Sequence, residues 1–141
     1  AKVEEIDLFA TTLDTPDNRR FIIPNGAIFG STIENVTHHP RRRIDVNVGV
    51  AYEADMDRTR EILTASVSAV EGALADPAPA VVLTGLGASS VDWQVRVWAP
   101  TADFATVRER VVTAVKRALD AAAISIPFPQ MDVHLRRDGA A

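Results

Sequence analysis

The sharpest alternation in the chain begins at Ile44. Ile44, Val46, Val48, Val50 and Tyr52 alternate with Asp45, Asn47, Gly49 and Ala51. That period of two puts the apolar side chains on one face of a half-buried strand. Met56, Ile62, Leu63, Val67, Val70 and Leu74 then recur near helical spacing, opposite Arg58, Arg60, Glu61 and Glu71. Asp55 stands where an N-cap is wanted, and Asp76-Pro77-Ala78-Pro79 stops the helix. Val81 to Leu86 reads as a second strand. In a third, Val91, Trp93, Val95 and Val97 face one way while Asp92, Gln94, Arg96 and Trp98 face the other. Pro100 ends it. Asp103 caps a helix to about Ala122, with Phe104, Val107, Val111, Val115, Ala118, Leu119 and Ala122 as its apolar stripe. After the stiff Ile126-Pro127-Phe128-Pro129, Met131, Val133 and Leu135 alternate with polar residues in a last strand. The order βαββαβ predicts two helices on one face of an antiparallel sheet, a two-layer ferredoxin-like unit. The two prolines before Met131 can carry the last strand away from its own sheet, where its backbone groups need another partner.

The first forty residues are less periodic. Val3 to Leu13 reads as one strand, bent near Ala10, and Phe21 to Pro24 as its hairpin partner. Pro24 cannot give an N–H to a ladder, and Asn25-Gly26 is a turn dipeptide, with Gly26 expected at positive φ. Ala27 to Gly30 reads as one helical turn and Thr32 to Thr37 as a further strand. His38-His39-Pro40-Arg41-Arg42-Arg43 breaks both periodicities and marks a boundary. Its arginines suit a solvated linker or an ion pair between subunits.

Composition narrows the function classes. The 141 residues carry a formal net charge of −4, which gives no global electrostatic case for nucleic acid or an anionic membrane. Cysteine is absent, so disulfides and thiolate metal sites are excluded. Adjacent histidines on an extended chain point to opposite sides, so His38 and His39 make a poor chelating pair, and no metal or cofactor is expected. Gly85-x-Gly87 lacks the helix start and third glycine of a nucleotide loop. No nucleophile, base and orienting group converge in one motif, so catalysis is not expected. The longest charge-free run, Pro77 to Val91, is broken by Pro and Gly and is too short to span a bilayer. A strand pattern that starts at the first residues suggests a piece of a longer protein.

Several short stretches together resemble one family. They are Leu8-Phe9-Ala10-Thr11-Thr12-Leu13, Ile22-Ile23-Pro24-Asn25-Gly26, Arg42-Arg43, Gly49-Val50-Ala51-Tyr52, Leu86-Gly87-Ala88-Ser89-Ser90, Val95-Arg96-Val97-Trp98 and Ile126 to Val133. In this order they resemble the cytosolic part of the small-conductance mechanosensitive channels, the MscS family. The resemblance implies an incomplete Sm-like β-domain over residues 1–40, lacking its first strands. An α/β ferredoxin-like domain over 41–127 follows, then a barrel strand and tail over 128–141. It implies a homoheptamer whose barrel pairs Met131, Val133 and Leu135 between subunits. It also implies transmembrane helices elsewhere in the full-length chain, in the inner (plasma) membrane, with this region cytoplasmic. The turn Pro24-Asn25-Gly26 would lie at the junction with the membrane domain. Asp45 and Arg43 would line side portals that pass ions and small osmolytes on hypoosmotic shock, with Asp45 in a negative rim. On strand pattern alone, Asp45 is a solvated acid paired with Arg43 or another nearby arginine. The rival reading is a regulatory or RNA-binding ferredoxin-like module with Trp98 as its exposed aromatic. No nucleic acid partner is expected.

Overall fold

Two compact units divide the chain at His38/His39 in the computed structural model, which describes residues 1–135. In the first unit, β1 (Lys2–Ile6), β2 (Ala10–Asp14) and β3 (Arg20–Pro24) form an antiparallel sheet in the order β1-β2-β3. The single bent strand expected over Val3 to Leu13 is instead a hairpin. Asp7-Leu8-Phe9 turns the chain without Gly or Pro. Asp7 N–H donates to the Ala10 carbonyl at 2.8 Å, and Asn25 N–H donates to Phe9 O at 2.9 Å. The hairpin of β2 and β3 pairs Leu13 with Phe21 and Thr11 with Ile23.

The Asn25-Gly26 turn also differs from expectation. Both residues lie in a short helix, α1 (Asn25–Phe29), which begins at the expected break after Pro24. Gly26 is not at positive φ; among the described glycines that conformation belongs to Gly72, at +87°. The strand expected over Thr32 to Thr37 is absent. Asn35 Oδ1 accepts from the Thr37 N–H and hydroxyl, each at 3.1 Å, and such local side-chain bonds compete with a ladder.

In the second unit, β4 (Arg41–Val50), β5 (Ala80–Leu86) and β6 (Val91–Pro100) form an antiparallel sheet in the order β4-β6-β5. The arginine run is no linker: Arg41, Arg42 and Arg43 pair with Pro100, Ala99 and Trp98 at the start of β4. Helices α2 (Met56–Ser68) and α3 (Phe104–Ala121) pack on one sheet face. Burial along β6 alternates strictly, with Val91, Trp93, Val95, Val97 and Ala99 inside. Ile44, Val50, Leu63, Val67, Val111 and Leu119 close the core, each no more than 1% exposed.

Asp55 caps α2 as expected, accepting from Arg58 N–H at 2.7 Å. That helix ends at Ser68 rather than near Leu74. Ser66 and Ser68 donate back to the Leu63 and Thr64 carbonyls, and Leu74 N–H leaves to bond Trp98 O at 2.8 Å, beyond the start of β5. Asp103 makes no side-chain cap; a 3-10 turn over Thr101–Asp103 leads into α3. Met131 to Leu135, expected as a last strand carried away from its own sheet, pair with nothing among the described residues. Among the described residues the order is βαββα, and the expected tail beyond 135 lies outside them.

Candidate functional site

Alternation along β4 separates the three arginines. Arg42 turns to the helix side, where its guanidinium lies 4.1 Å from the centre of the Phe104 ring, a cation–π contact at the start of α3. Arg41 and Arg43 turn to the helix-free face with Asp45 and Asn47. Opposite them on β6 stand Pro100, Trp98, Arg96 and Gln94 respectively.

Arg43 and Asp45, two residues apart on one strand face, form a two-pronged ion pair. Arg43 Nε donates to Oδ1 at 2.7 Å and Nη2 to Oδ2 at 2.9 Å. The Asp45 carboxylate, by these hydrogen bonds first and its charge second, raises the Arg43 pKa above the ordinary guanidinium value. The pairing read from the strand pattern is therefore present. Across the ladder, Arg96 Nε donates to Gln94 Oε1 at 2.8 Å, and Gln94 Nε2 donates to Asn47 Oδ1 at 3.1 Å. Arg41 Nη1 donates to the Asp76 carbonyl at 3.2 Å. Trp98 is half-buried on this face, whereas Trp93 is buried on the other side, with Arg60 over its ring at 5.0 Å.

Sequence reasoning put Arg96 on the outer face but not beside Asp45. No hairpin joins β4 to β6, so turn geometry could not give their register. Pro24, Asn25 and Gly26 lie together at the end of β3 and the start of α1. Here Asn25 does more than turn the chain. Its Nδ2 donates to the Asp7 and Leu8 carbonyls at 2.8 and 3.2 Å, and its Oδ1 accepts from the Thr11 hydroxyl at 2.8 Å. Met131, Val133 and Leu135 are 84%, 67% and 90% exposed. The segment leading to them is tied down where Gln130 N–H donates to Ser89 Oγ.

A cleft of about 640 Å³ between α2 and α3 is lined by Val70, Glu71, Glu109, Arg110 and Arg117 among others. Arg110 donates there to the Glu71 carbonyl, and no nucleophile–base pair converges in it. Among the described residues no group of three His, Asp or Glu side chains could hold a metal ion. No described helix is long and apolar enough to cross a membrane.

Residues 44–126 match the family described as mechanosensitive ion channel MscS, C-terminal, and residues 1–38 match the mechanosensitive ion channel beta-domain. The chain belongs to the MscS family. A small-conductance mechanosensitive channel of Edwardsiella ictaluri is 45% identical over 133 residues, 94% of this chain and 46% of that protein. One of Helicobacter pylori is 31% identical over 96% of this chain and 50% of that protein. The chain thus spans about half the length of these relatives. The crystal structure of Helicobacter pylori MscS in its closed state aligns with a TM-score of 0.91 at 30% identity, covering 97% of this chain and 55% of that one. The cryo-EM structure of AtMSL1, at 15% identity and a TM-score of 0.75, shares the fold. The relatives are channels, which points away from enzymatic activity and does not favour the RNA-binding module.

Proposed function

We propose that this chain is the cytosolic cage of an MscS-type mechanosensitive channel in a cell's inner membrane, with its membrane helices in another part of the full-length protein. The observation that carries the reading is the pair of family matches, in order, over nearly the whole chain. Seven copies assemble. Residues 1–40 belong to a middle Sm-like β-domain. Residues 41–127 belong to an α/β domain of ferredoxin-like kind, and 128–141 carry the barrel strand and tail. Met131 to Leu135 are exposed and pair with no described residue, which supports a strand completed by neighbouring copies, since a closed barrel leaves no open edge. The exposed apolar side chains Ile6, Leu8, Phe9 and Phe29 support packing of the first unit against parts outside the described residues. Arg43 and Asp45 stand at side portals that admit ions and small osmolytes on their way to the pore.

The test is made on the full-length channel. Suction on a membrane patch should open it, and native mass spectrometry should give seven copies. Deleting Gln130 to Ala141 should lower the assembled mass. A channel silent to tension overturns the functional reading, and an unchanged oligomer after the deletion overturns the barrel.

A further inference from the structure

Around Asp45 the helix-free sheet face carries more arginines than aspartates. Arg41, Arg43 and Asp45 of β4 share this end of the face with Arg96 of β6, three arginines against one aspartate. Asp92, four residues before Arg96 on the same face of β6, accepts from Ser90 Oγ at 2.7 Å and keeps its charge, but it stands at the other end of the strand. The Asp45 carboxylate is matched by the guanidinium of Arg43 two residues away, so the pair presents little net charge outward. Arg96 has no such match. Among the described residues it enters no ion pair, and its hydrogen bond goes to the neutral amide of Gln94. It sits on the central strand with Asp45 opposite on one side and Ala80 on the other. A positive patch therefore stands on a chain whose formal net charge is −4.

We propose that Arg96, not Asp45, sets the sign of the field on this face, and that the face draws small anions such as halides and carboxylates. This rests on the reading of Arg43 and Asp45 as portal residues only for its consequence: Arg96 then biases the portals toward anions. Arg43 is a positioning and neutralising residue, holding Asp45 so that its charge does not reach the solution.

The field itself is tested on this chain without reference to any portal. The chain has two tryptophans, and Trp93 is 1% exposed. Trp98, opposite Arg43 and next to Arg96 on the same face of β6, is the fluorophore that ionic quenchers reach. At low ionic strength iodide should quench it more efficiently than caesium when each ion is referenced to its quenching of a free tryptophan amide. Arg96→Gln should lower iodide quenching about twofold, and Arg96→Lys should restore it. Asp45→Asn, which leaves Arg43 unmatched, should raise iodide quenching by a similar factor. Both differences should shrink above about 0.1 M salt. Equal referenced quenching by the two ions, or no response to Arg96→Gln, overturns the proposal.

The consequence is tested in the full-length channel by the reversal potential in a potassium chloride gradient. Arg96→Gln should shift it toward cations and Asp45→Asn toward anions. A quenching response without a reversal shift overturns the portal placement and leaves the field intact. A reversal shift for Asp45→Lys with none for Arg96→Gln keeps the portals and overturns the role of Arg96.

Discussion

In the second unit the apolar residues that alternate along β4 and β6 meet those that repeat along α2 and α3, and the core closes on itself from Ile44 to Ile124. In the first unit the buried residue is a threonine, Thr11, while Ile6, Leu8, Phe9 and Phe29 are 72%, 82%, 81% and 94% exposed. That unit is organised by hydrogen bonds: the Asn25 clamp and the Arg20–Asp14 pair, whose Nε to Oδ1 distance is 2.9 Å. A self-closed core makes local pattern and final structure agree, because the same burial rewards both. A unit whose apolar side chains remain outside it leaves its turns to polar contacts that periodicity does not show.

The largest expected effect separates the two regions directly. Leu119 is 0% exposed at the third position from the end of α3. Leu119→Ala should cost about 2–5 kcal/mol by lost burial plus the cavity left behind. Phe29 is 94% exposed, and Phe29→Ala should change the stability of this chain by less than about 0.5 kcal/mol. Urea unfolding followed by circular dichroism reads both. Equal losses would erase the contrast.

Within the first unit, Asn25→Ala should cost about 1–3 kcal/mol. It removes three side-chain hydrogen bonds and strands the hydroxyl of Thr11, which is 7% exposed. Hydrogen exchange should speed up at the amides of Asp7 and Asn25, which bond across this tip. Unchanged protection there would show that the backbone holds the hairpin without the clamp.

This contrast also governs what could be read from the residues. The alternation of Val91 to Ala99, the Asp55 cap, the breaks at Pro24 and Pro100 and the stripe from Phe104 to Leu119 all follow from neighbours in sequence, and all are present. The hairpin tip at Asp7 to Phe9 has no Gly, Pro or Asn; its partner is Asn25, far along the chain, so no local signal marks it. The pair of Arg43 and Asp45 was legible from a two-residue spacing on one strand face. The place of Arg96 opposite Asp45 was not, because β6 reaches β4 through a helix and another strand. The apolar pattern places the end of α2 too late because Val70 and Ala73 still pack inward after the helix has stopped, so the pattern outlasts the hydrogen bonds.

The end of α3 offers a smaller test of opposite sign. Ala123 has φ +56°, and Ile124 N–H reaches back to Leu119 O while Ala123 N–H reaches Asp120 O. This is the Schellman arrangement, in which the left-handed position favours glycine. A Cβ there is disfavoured by the following carbonyl oxygen. Ala123→Gly should raise the stability of the second unit by about 1 kcal/mol, seen as a higher thermal midpoint. A lower midpoint would mean that the entropy glycine adds to the unfolded chain outweighs the relieved strain.

Gly26 gives the smallest effect and tests the first unit where its sequence was most misleading. Beside Asn25 it reads as a turn glycine, and a turn glycine at positive φ would lose stability on gaining a methyl group. Its place in α1 reverses that argument. The φ is not positive, and a Cβ built on Gly26 meets no atom within 4 Å. In a helix alanine is favoured over glycine by about 0.8–1 kcal/mol. The five residues of α1 make only a single turn, so part of that gain is lost to fraying. Gly26→Ala should therefore leave the thermal midpoint unchanged or raise it by an amount worth up to about 0.5 kcal/mol. A fall equivalent to more than about 1 kcal/mol would place Gly26 outside a helix in solution and restore the strained turn. With the fold unharmed, a change in closing of the proposed full-length channel on Gly26→Ala would be assigned to the added methyl group meeting a neighbour outside the described residues, and not to backbone strain. Gly26→Ser, equally free of strain on this helical backbone but with a polar tip, then separates a packing contact from a polar one by whether it closes like alanine or like the parent channel.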